Sequence, residues 1–326
     1  MGHDPASGGG RPVEPTAGTA TAAPACRPTG RPLERSDRAR IEARLAPLRT
    51  AMHPHIPADY SFANLWLFRE VRAHRVTDGP WPVVQGLTYD GAAYALPLFD
   101  VRQASIEVLR HLLVGGRCLY PLPLDWAQAL PQRLAGHPSA GLLPQAQTRT
   151  HPHDADYLYA ADSFRHYRGP LGRKKAQQLR QILADGGAPP RLERIDPTQR
   201  ALAESVLRAW AARRVPDAYP TDQDPCEQAL AHLYELGLQG WQVLRGAEAP
   251  GFALTETLAP DVAVVRFAKA ADDRPGIHPF LFQRLALVNP GWRWLNFEQD
   301  LGHPGFRQAD LAWGPVGMVG KGRLIL

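Results

Sequence analysis

The sequence predicts an α/β protein of two lobes, and three observations lead there. At 326 residues the chain exceeds what one hydrophobic core usually serves, so one large or two medium domains are expected. A stretch rich in Gly, Pro, Gln and Thr from Gly136 to Pro152 reads as a boundary or a long exposed loop. Beyond it the elements run as helices, then an antiparallel strand pair, then strand, helix and strand, the order of a mixed sheet flanked by helices. This divides the chain into a tail over residues 1–35, a first lobe over 36–150 and a second lobe over 151–326, the second carrying the expected active site.

In chain order, Met1 to Gly30 is a Gly/Pro/Ala/Thr segment without the apolar surface to fold. Pro32 to Ala51 has helical spacing through Ile41, Leu45 and Leu48, and Tyr60 to Glu70 is a second helical pattern with an aromatic stripe at Phe62 and Trp66. Val83–Leu87 and Ala92–Leu96 are apolar runs parted by Tyr89-Asp90-Gly91, which predicts a hairpin. Helices follow over Ser105–Leu113 and Leu124–Leu134, the second kinked or interrupted at Pro131. The second lobe opens with a strand at Asp156–Tyr159 and a helix-rich segment to Asp185. Asp196-Pro197 predicts a cap and first helical residue ahead of Leu202, Val206 and Trp210. A helix over Cys226–Leu236, strands over Trp241–Leu244, Gly251–Leu258 and Val262–Phe267, and a helix from Gly276 to Leu287 come next. A strand over Trp292–Glu298, a short helix after Pro304 and a last strand over Val316–Val319 complete the chain.

Composition excludes several classes. An apolar fraction of 44% with 21% charged residues is globular. No run approaches the roughly 20 apolar residues of a membrane span, and the N-terminus lacks the basic and apolar regions of a secretory signal. Cys26, Cys118 and Cys226 form no paired framework, which suits a reducing compartment, so a cytoplasmic location is expected. The net charge of +5 is compatible with a polyanionic partner without demanding one. Lysines occur only at 174, 175, 269 and 321, all other cations being arginine, so each lysine position merits attention. His53-Pro54-His55 and His151-Pro152-His153 have metal-like spacing but no accompanying cysteine or carboxylate cluster, and neither a metal nor another cofactor is expected.

Specific motifs gather near the C-terminus: Asn296-Phe297-Glu298-Gln299-Asp300-Leu301-Gly302, then Gly305, Arg307, Ala309, Leu311 and Pro315, closed by Lys321. With Tyr60-Ser61-Phe62-Ala63-Asn64-Leu65-Trp66, the Asp156-Tyr157-Leu158-Tyr159 strand, and Gly169 followed by Lys174-Lys175, they make the chain resemble the synthase-domain family of phosphatidylglycerol lysyltransferases over roughly residues 45 to 322. The resemblance implies two tandem acetyltransferase-like (GNAT) lobes, each a mixed sheet flanked by helices. It also implies transfer of an aminoacyl group from aminoacyl-tRNA, as co-substrate, to an amine or hydroxyl acceptor that is a lipid or a small molecule. Similar proteins carry Lys-Lys-Arg-Asn at the basic helix, whereas Ala176 and Gln177 follow the lysines here.

Helical geometry separates the two lysines. At about 100° per residue, Lys175 falls in the arc of Leu179, Ile182 and Leu183 and should point inward, while Arg173, Lys174 and Arg180 lie opposite, where they meet tRNA phosphate or only water. Alternation along Trp292–Glu298 puts Trp294, Asn296 and Glu298 on one face, a polar and aromatic set suited to a substrate pocket. Glu298 or Asp300 can accept the proton of an attacking amine, or else form an internal ion pair with Arg307. The catalytic candidates are therefore Lys175, Glu298 and Asp300, and the substrate-binding candidates Trp294, Asn296, Lys269, Arg307 and Lys321. Coenzyme A is the alternative acyl carrier. The segment from Ala270 to Pro279 holds two carboxylates and two prolines, which fit a pyrophosphate cradle poorly unless Arg274 and His278 compensate. A binding module without turnover on the same fold is the third expectation.

Overall fold

A computed structural model describes residues 27–114, 117–135, 145–213, 222–272 and 274–326. Two seven-stranded mixed sheets organise the chain. The first half supplies β1 (Arg31–Pro32), α1 (Arg38–Met52), α2 (Phe62–Leu67), β2 (Arg75–Val76), β3 (Val83–Leu87) and β4 (Ala93–Pro97), then α3 (Ile106–Leu113), β5 (Cys118–Pro123), α4 (Leu124–Ala135) and β6 (Gln147–Arg149). The predicted hairpin forms with Val83 opposite Pro97 and Leu87 opposite Ala93, and Gly91 takes φ +81° at its tip, where a side chain would be strained. Ser61 and Ser105 cap α2 and α3 by accepting the backbone N–H of Asn64 and of Val108. The α4 helix continues through Pro131 without a break.

The second half supplies β7 (Asp156–Ala160), α5 (Ala161–His166), α6 (Gly169–Ala184), β8 (Arg191–Arg194), α7 (Arg200–Ala212), α8 (Gln223–Ala231) and β9 (Gln239–Arg245). It continues with β10 (Glu248–Ala259), β11 (Val262–Ala270), α9 (Ile277–Val288), β12 (Trp294–Gln299), α10 (Pro304–Leu311) and β13 (Gly317–Val319). Its sheet runs β13-β7-β12-β11-β10-β9-β8, and β14 (Lys321–Ile325) returns to the first sheet, which runs β1-β2-β3-β4-β5-β14-β6. The chain thus ends by inserting a strand between two strands of its first half.

Both sheets have one parallel pair, and it opens. In the second, β11 and β12 pair only from Val262 opposite Trp294 to Val264 opposite Asn296, although β11 runs on to Ala270 and β12 to Gln299. In the first, β4 and β5 pair only at Tyr94–Cys118 and Ala95–Leu119. In each sheet the parallel strands therefore part beyond their paired residues and leave a gap.

Several sequence expectations need correcting. Residues 31–35 belong to the body: β1 extends the first sheet, Leu33 is buried, and the Arg31 guanidinium pairs with Asp37 at 2.5 Å. The residues before 27, Cys26 included, lie outside those described, as does most of the Gly136–Pro152 stretch. Asp196 does not cap α7. Its carboxylate accepts the Thr198 and Gln199 N–H groups at 2.7 and 3.0 Å, closing a separate turn, and the helix begins at Arg200. Strands β5, β8 and β14 lacked a usable signal because they are short, proline-broken or charged.

One apolar core joins the first sheet, α1 to α4, α7, α8 and one face of β10 and β11, and a second fills the space between the other face of the second sheet and α5, α6 and α9. The first core therefore spans both lobes. Between them lies a cleft floored by the C-terminal end of β12.

Candidate active site

At that end of β12 the backbone leaves the strand: Glu298 has φ +63° and Leu301 +53°, values uncommon outside glycine. Alternation holds as far as Phe297, with Leu295 and Phe297 in the second core and Trp294 packed on the first. Asn296 faces the first lobe, donating to the Ile56 carbonyl and to Asp156 at 3.2 and 3.0 Å, and its side-chain oxygen accepts the Glu298 N–H at 2.7 Å. That bond holds the turn presenting the Glu298 carboxylate to a cavity of about 80 Å³ between the lobes. The first lobe contributes Asp59, Arg72, His74, Tyr89, Tyr94 and Tyr120 to its wall.

Arg266 secures Glu298 from behind at 2.5 Å, its guanidinium fully buried and the Glu298 side chain 21% exposed. Burial pushes the Glu298 carboxyl up to about 7 despite Arg266, with Asp156 and Asp59 adding to the rise. Across the cavity, burial pushes His74 down to about 4, with its ring between the Leu65 carbonyl and the Tyr94 hydroxyl. Among the cavity's acid–base groups, Glu298 is the one set to exchange a proton near neutrality.

Beside it lies a buried ion cluster. The Lys321 ammonium, on a side chain 1% exposed, sits 2.6 Å from Asp59 and 2.5 Å from Asp156, and donates to Gln299 at 3.0 Å. Against the cost of burial, these two carboxylates hold the ammonium above its ordinary value. Asp300 is likewise enclosed. It accepts from Arg307 at 2.8 Å, from the Tyr157 hydroxyl at 2.7 Å and from the Gly302 N–H at 2.8 Å. Burial raises its pKa, but the Arg307 and Tyr157 hydrogen bonds prevail and hold it below the ordinary carboxylate value. Asp300 with Arg307 thus forms the internal pair that sequence offered as the alternative to catalysis, and Glu298 pairs with Arg266 instead.

The lysine helix borders a different space, a cavity of about 780 Å³ lined by Lys175, Gln178, Trp210, Arg213, Asp272, Arg274, Gly276, His278 and Trp313 among others. Here the first turn of α6 packs back on the preceding chain so closely that only glycine fits at 172, since a Cβ would lie 2.3 Å from the Tyr167 backbone. Lys175 is half-buried with Nζ 3.7 Å from the centre of the Trp313 ring, and Arg173, Lys174 and Arg180 are exposed, the division expected from helical spacing. Leu183 is exposed rather than inward. Burial lowers the Lys175 pKa, and the neighbouring Lys174 adds to the effect. Lys269 adjoins the same cavity wall: its ammonium lies 2.7 Å from Asp222 and 3.9 Å from the centre of the Trp210 ring. In the 270–279 segment Asp272 binds the Arg274 side chain at 3.1 Å and Gly276 (φ +102°) begins α9, with Asp273 outside the described residues.

The predicted residues therefore fall into two groups. Asn296, Glu298, Asp300, Arg307 and Lys321 gather at the β12 end, while Lys175 lines the larger cavity and Lys269 reaches it only through the Trp210 ring. Ala270, ending β11, lines the larger cavity, while Glu298 and Gln299 of β12 line the smaller, so the opening between these strands lies between the two. Sequence reading missed Asp59, Glu256, Arg266, Trp210, Arg213 and Trp313. An arginine inside the apolar run Val262–Phe267 was the available signal for Arg266, because a buried cation implies a partner. The histidine pairs are engaged elsewhere, His53 with Asp261 at 2.6 Å and His153 with Arg307 at 2.5 Å. Among the described residues no group of three or more metal-ligating side chains assembles, and no helix is long and apolar enough to cross a membrane.

Comparison with known proteins agrees with this architecture. A conserved protein of unknown function from Bacteroides thetaiotaomicron superposes with TM-score 0.72 at 18% identity, covering 91% of this chain and 98% of its own. The C-terminal domain of a protein described as a lysylphosphatidylglycerol synthetase, from Agrobacterium fabrum, gives 0.57 at 12% identity, covering 87% of this chain and 92% of its own. L-PGS from Bacillus licheniformis gives 0.51 at 11% identity, covering 80% and 90%. At such identities the likeness is one of fold. No curated protein matches the chain. Residues 50–320, nearly everything that folds into the two lobes, match the family described as phosphatidylglycerol lysyltransferase, C-terminal, and the chain belongs to that family.

Proposed function

We propose that the protein is an aminoacyltransferase that takes an aminoacyl group from aminoacyl-tRNA and gives it to an amine or hydroxyl of a small molecule or lipid. Family membership supports aminoacyl transfer in general. The observation that carries the donor is the 780 Å³ cavity, where Lys175, Arg213 and Arg274 stand with the indoles of Trp210 and Trp313. Cations for phosphate and rings for a base are what the end of a nucleic acid requires. Outside it, Arg173, Lys174 and Arg180 form an exposed basic face for the tRNA backbone.

The acceptor enters the smaller cavity, where Glu298 takes the proton from its attacking N–H or O–H. The new C–N or C–O bond forms at the ester carbonyl, the bond to the terminal ribose oxygen breaks, and that oxygen takes up the proton. Lys175 faces the charge that develops on the carbonyl oxygen. Metal is not required for this step.

The test is transfer of radiolabelled amino acid from the full set of charged tRNAs into cell fractions, with lipid and aqueous products separated. Product in either pool supports the reading and identifies the acceptor class; none from folded protein overturns it. A coenzyme A thioester is the second reading, favoured by the larger cavity's position at the start of α9. Saturable binding of acetyl- or longer acyl-CoA in calorimetry, with no transfer from tRNA, would put it first.

A further inference from the structure

We propose that Ser61 and Glu256 are positioning residues for Glu298: acting through Arg266, they hold its carboxylate at the wall of the inter-lobe cavity and share the guanidinium charge between two acids. This rests on the reading of Glu298 as the proton acceptor.

The chain of contacts is continuous and buried. Ser61 Oγ, at the N-cap of α2 in the first lobe, lies 2.7 and 2.8 Å from the two Glu256 carboxylate oxygens. Arg266 donates to Glu256 through Nε and Nη2 at 2.9 and 2.7 Å, to Glu298 through Nη1 at 2.5 Å, and to the Ala58 carbonyl through Nη2 at 2.9 Å. Four of its five N–H groups are thereby directed at named partners. The backbone is shaped for this. Opposite Leu254 and Thr255 of β10 stand Phe267 and Val265, so Arg266 is the extra residue of a bulge. A bulge re-aims a side chain, at the cost of an unpaired residue in the ladder. Here it turns the guanidinium away from its strand and across the gap to β12. Buried ion groups of this kind are weak contributors to stability compared with apolar filling, so a role in setting the acid is the better account of a serine, two carboxylates and an arginine in one line.

The sharing has a sign. Glu256 draws on the same cation that favours the ionised form of Glu298, and the Ser61 hydroxyl in turn takes up part of the Glu256 charge. Other groups facing Glu298 are Asp59 from the loop before α2, Asp156 of β7 and, across the cavity, Arg72 and His74 with the phenols of Tyr89, Tyr94 and Tyr120. Lys321 of β14 stands behind Asp59 and Asp156. None is altered in the variants below.

The experiment compares Glu256→Gln, Ser61→Ala and Glu298→Gln with the unmodified chain, all checked for an unchanged fold by circular dichroism. Transfer rates from charged tRNA are followed against pH, and the glutamate side-chain carboxyl carbons are followed by NMR, Glu298→Gln identifying the Glu298 signal. In Glu256→Gln the whole guanidinium charge falls to Glu298, and both the acid limb and the NMR midpoint move down by about one pH unit. In Ser61→Ala the Glu256 charge presses undivided on Arg266, and both move up by about half a unit. Opposite shifts from two neighbouring changes are not the mark of a merely structural role. Midpoints unmoved in both folded variants overturn the proposal. Should Glu298→Gln retain full transfer, the base reading fails by itself, and the NMR midpoints still decide the positioning.

Discussion

Replacing Lys321 with methionine separates a clamp from a substrate contact. The ammonium joins Asp59, on the first-lobe segment before α2, to Asp156 of β7 in the second sheet, and is itself carried on β14 of the first sheet. Methionine keeps most of the stem volume but leaves two carboxylates facing each other in a site 1% exposed at the lysine. Removing one partner of a buried ion group costs about 3–5 kcal/mol because the remaining charge is uncompensated. Urea unfolding at pH 7 should show a loss of that order. The pH dependence follows from the directions of the shifts. Lys321 is held above its ordinary value, so its contribution is complete through neutral pH and fades only in strong alkali. Burial opposes ionisation of Asp59, but Lys321 overrides it and lowers the Asp59 pKa, a contribution lost only in strong acid. Burial raises Asp156, whose ionised form is therefore a cost that acid relieves. Without the lysine both carboxylates resist ionisation, and their protonation as the pH falls below neutrality should restore part of the variant's stability. The gap between the two proteins narrows on acidification. A loss below about 1 kcal/mol at pH 7, or a gap independent of pH, would show that the cluster is not a clamp and return Lys321 to the role of a substrate contact.

Three further outcomes are expected. Lys175→Met should lower turnover on the order of 100-fold with little change in thermal midpoint, whereas Lys174→Met should raise only the apparent KM for tRNA, and less so as salt is raised; equal small effects in steady-state kinetics would remove the site from this helix. The transfer rate should fall below a limb near pH 7, where Glu298 takes up its proton, and Glu298→Gln should abolish both the limb and most of the rate; a rate flat from pH 5 to 8 would contradict the assignment. Leu33→Ala should cost about 2–3 kcal/mol in urea unfolding, since Leu33 is 3% exposed in the first core, and no change would return residues 31–35 to the tail.

What the sequence disclosed follows from which forces are local. The Asp90-Gly91 hairpin, the apolar arc of α6 and the face of β12 up to Phe297 depend on turn chemistry and periodicity. So does the division of Lys175 from Lys174. The β14 strand could not be read, because Lys321-Gly322-Arg323 looks polar until Asp59, Asp156, Asp154 and Asp90 come round to neutralise its cations. For the same reason Lys321 looked like a residue awaiting a ligand. Asp300 and Glu298 were indistinguishable as neighbouring acids in one motif. Only the left-handed turn at Glu298 and the arrival of Arg307 at Asp300 assign one to the cavity wall and the other to an internal pair.

The placement of charge also explains why the two lobes form one site. Arg266 and Glu256 belong to the second sheet yet bind Ala58 and Ser61 of the first lobe, and Asn296 binds Ile56. Every one of these contacts meets the short segment Ile56–Ser61, which also carries Asp59 to Lys321 and leads directly into α2. A first lobe displaced from the second would part Lys321 from Asp156 and strip Arg266, Glu256 and Asn296 of their bonds to Ala58, Ser61 and Ile56, at a cost of several kcal/mol. The cleft is therefore fixed by the same polar contacts that furnish its reactive wall. On the proposed reaction, an acceptor small enough for the inter-lobe cavity would meet a site already assembled, and the binding of donor or acceptor would not be spent on bringing the lobes together.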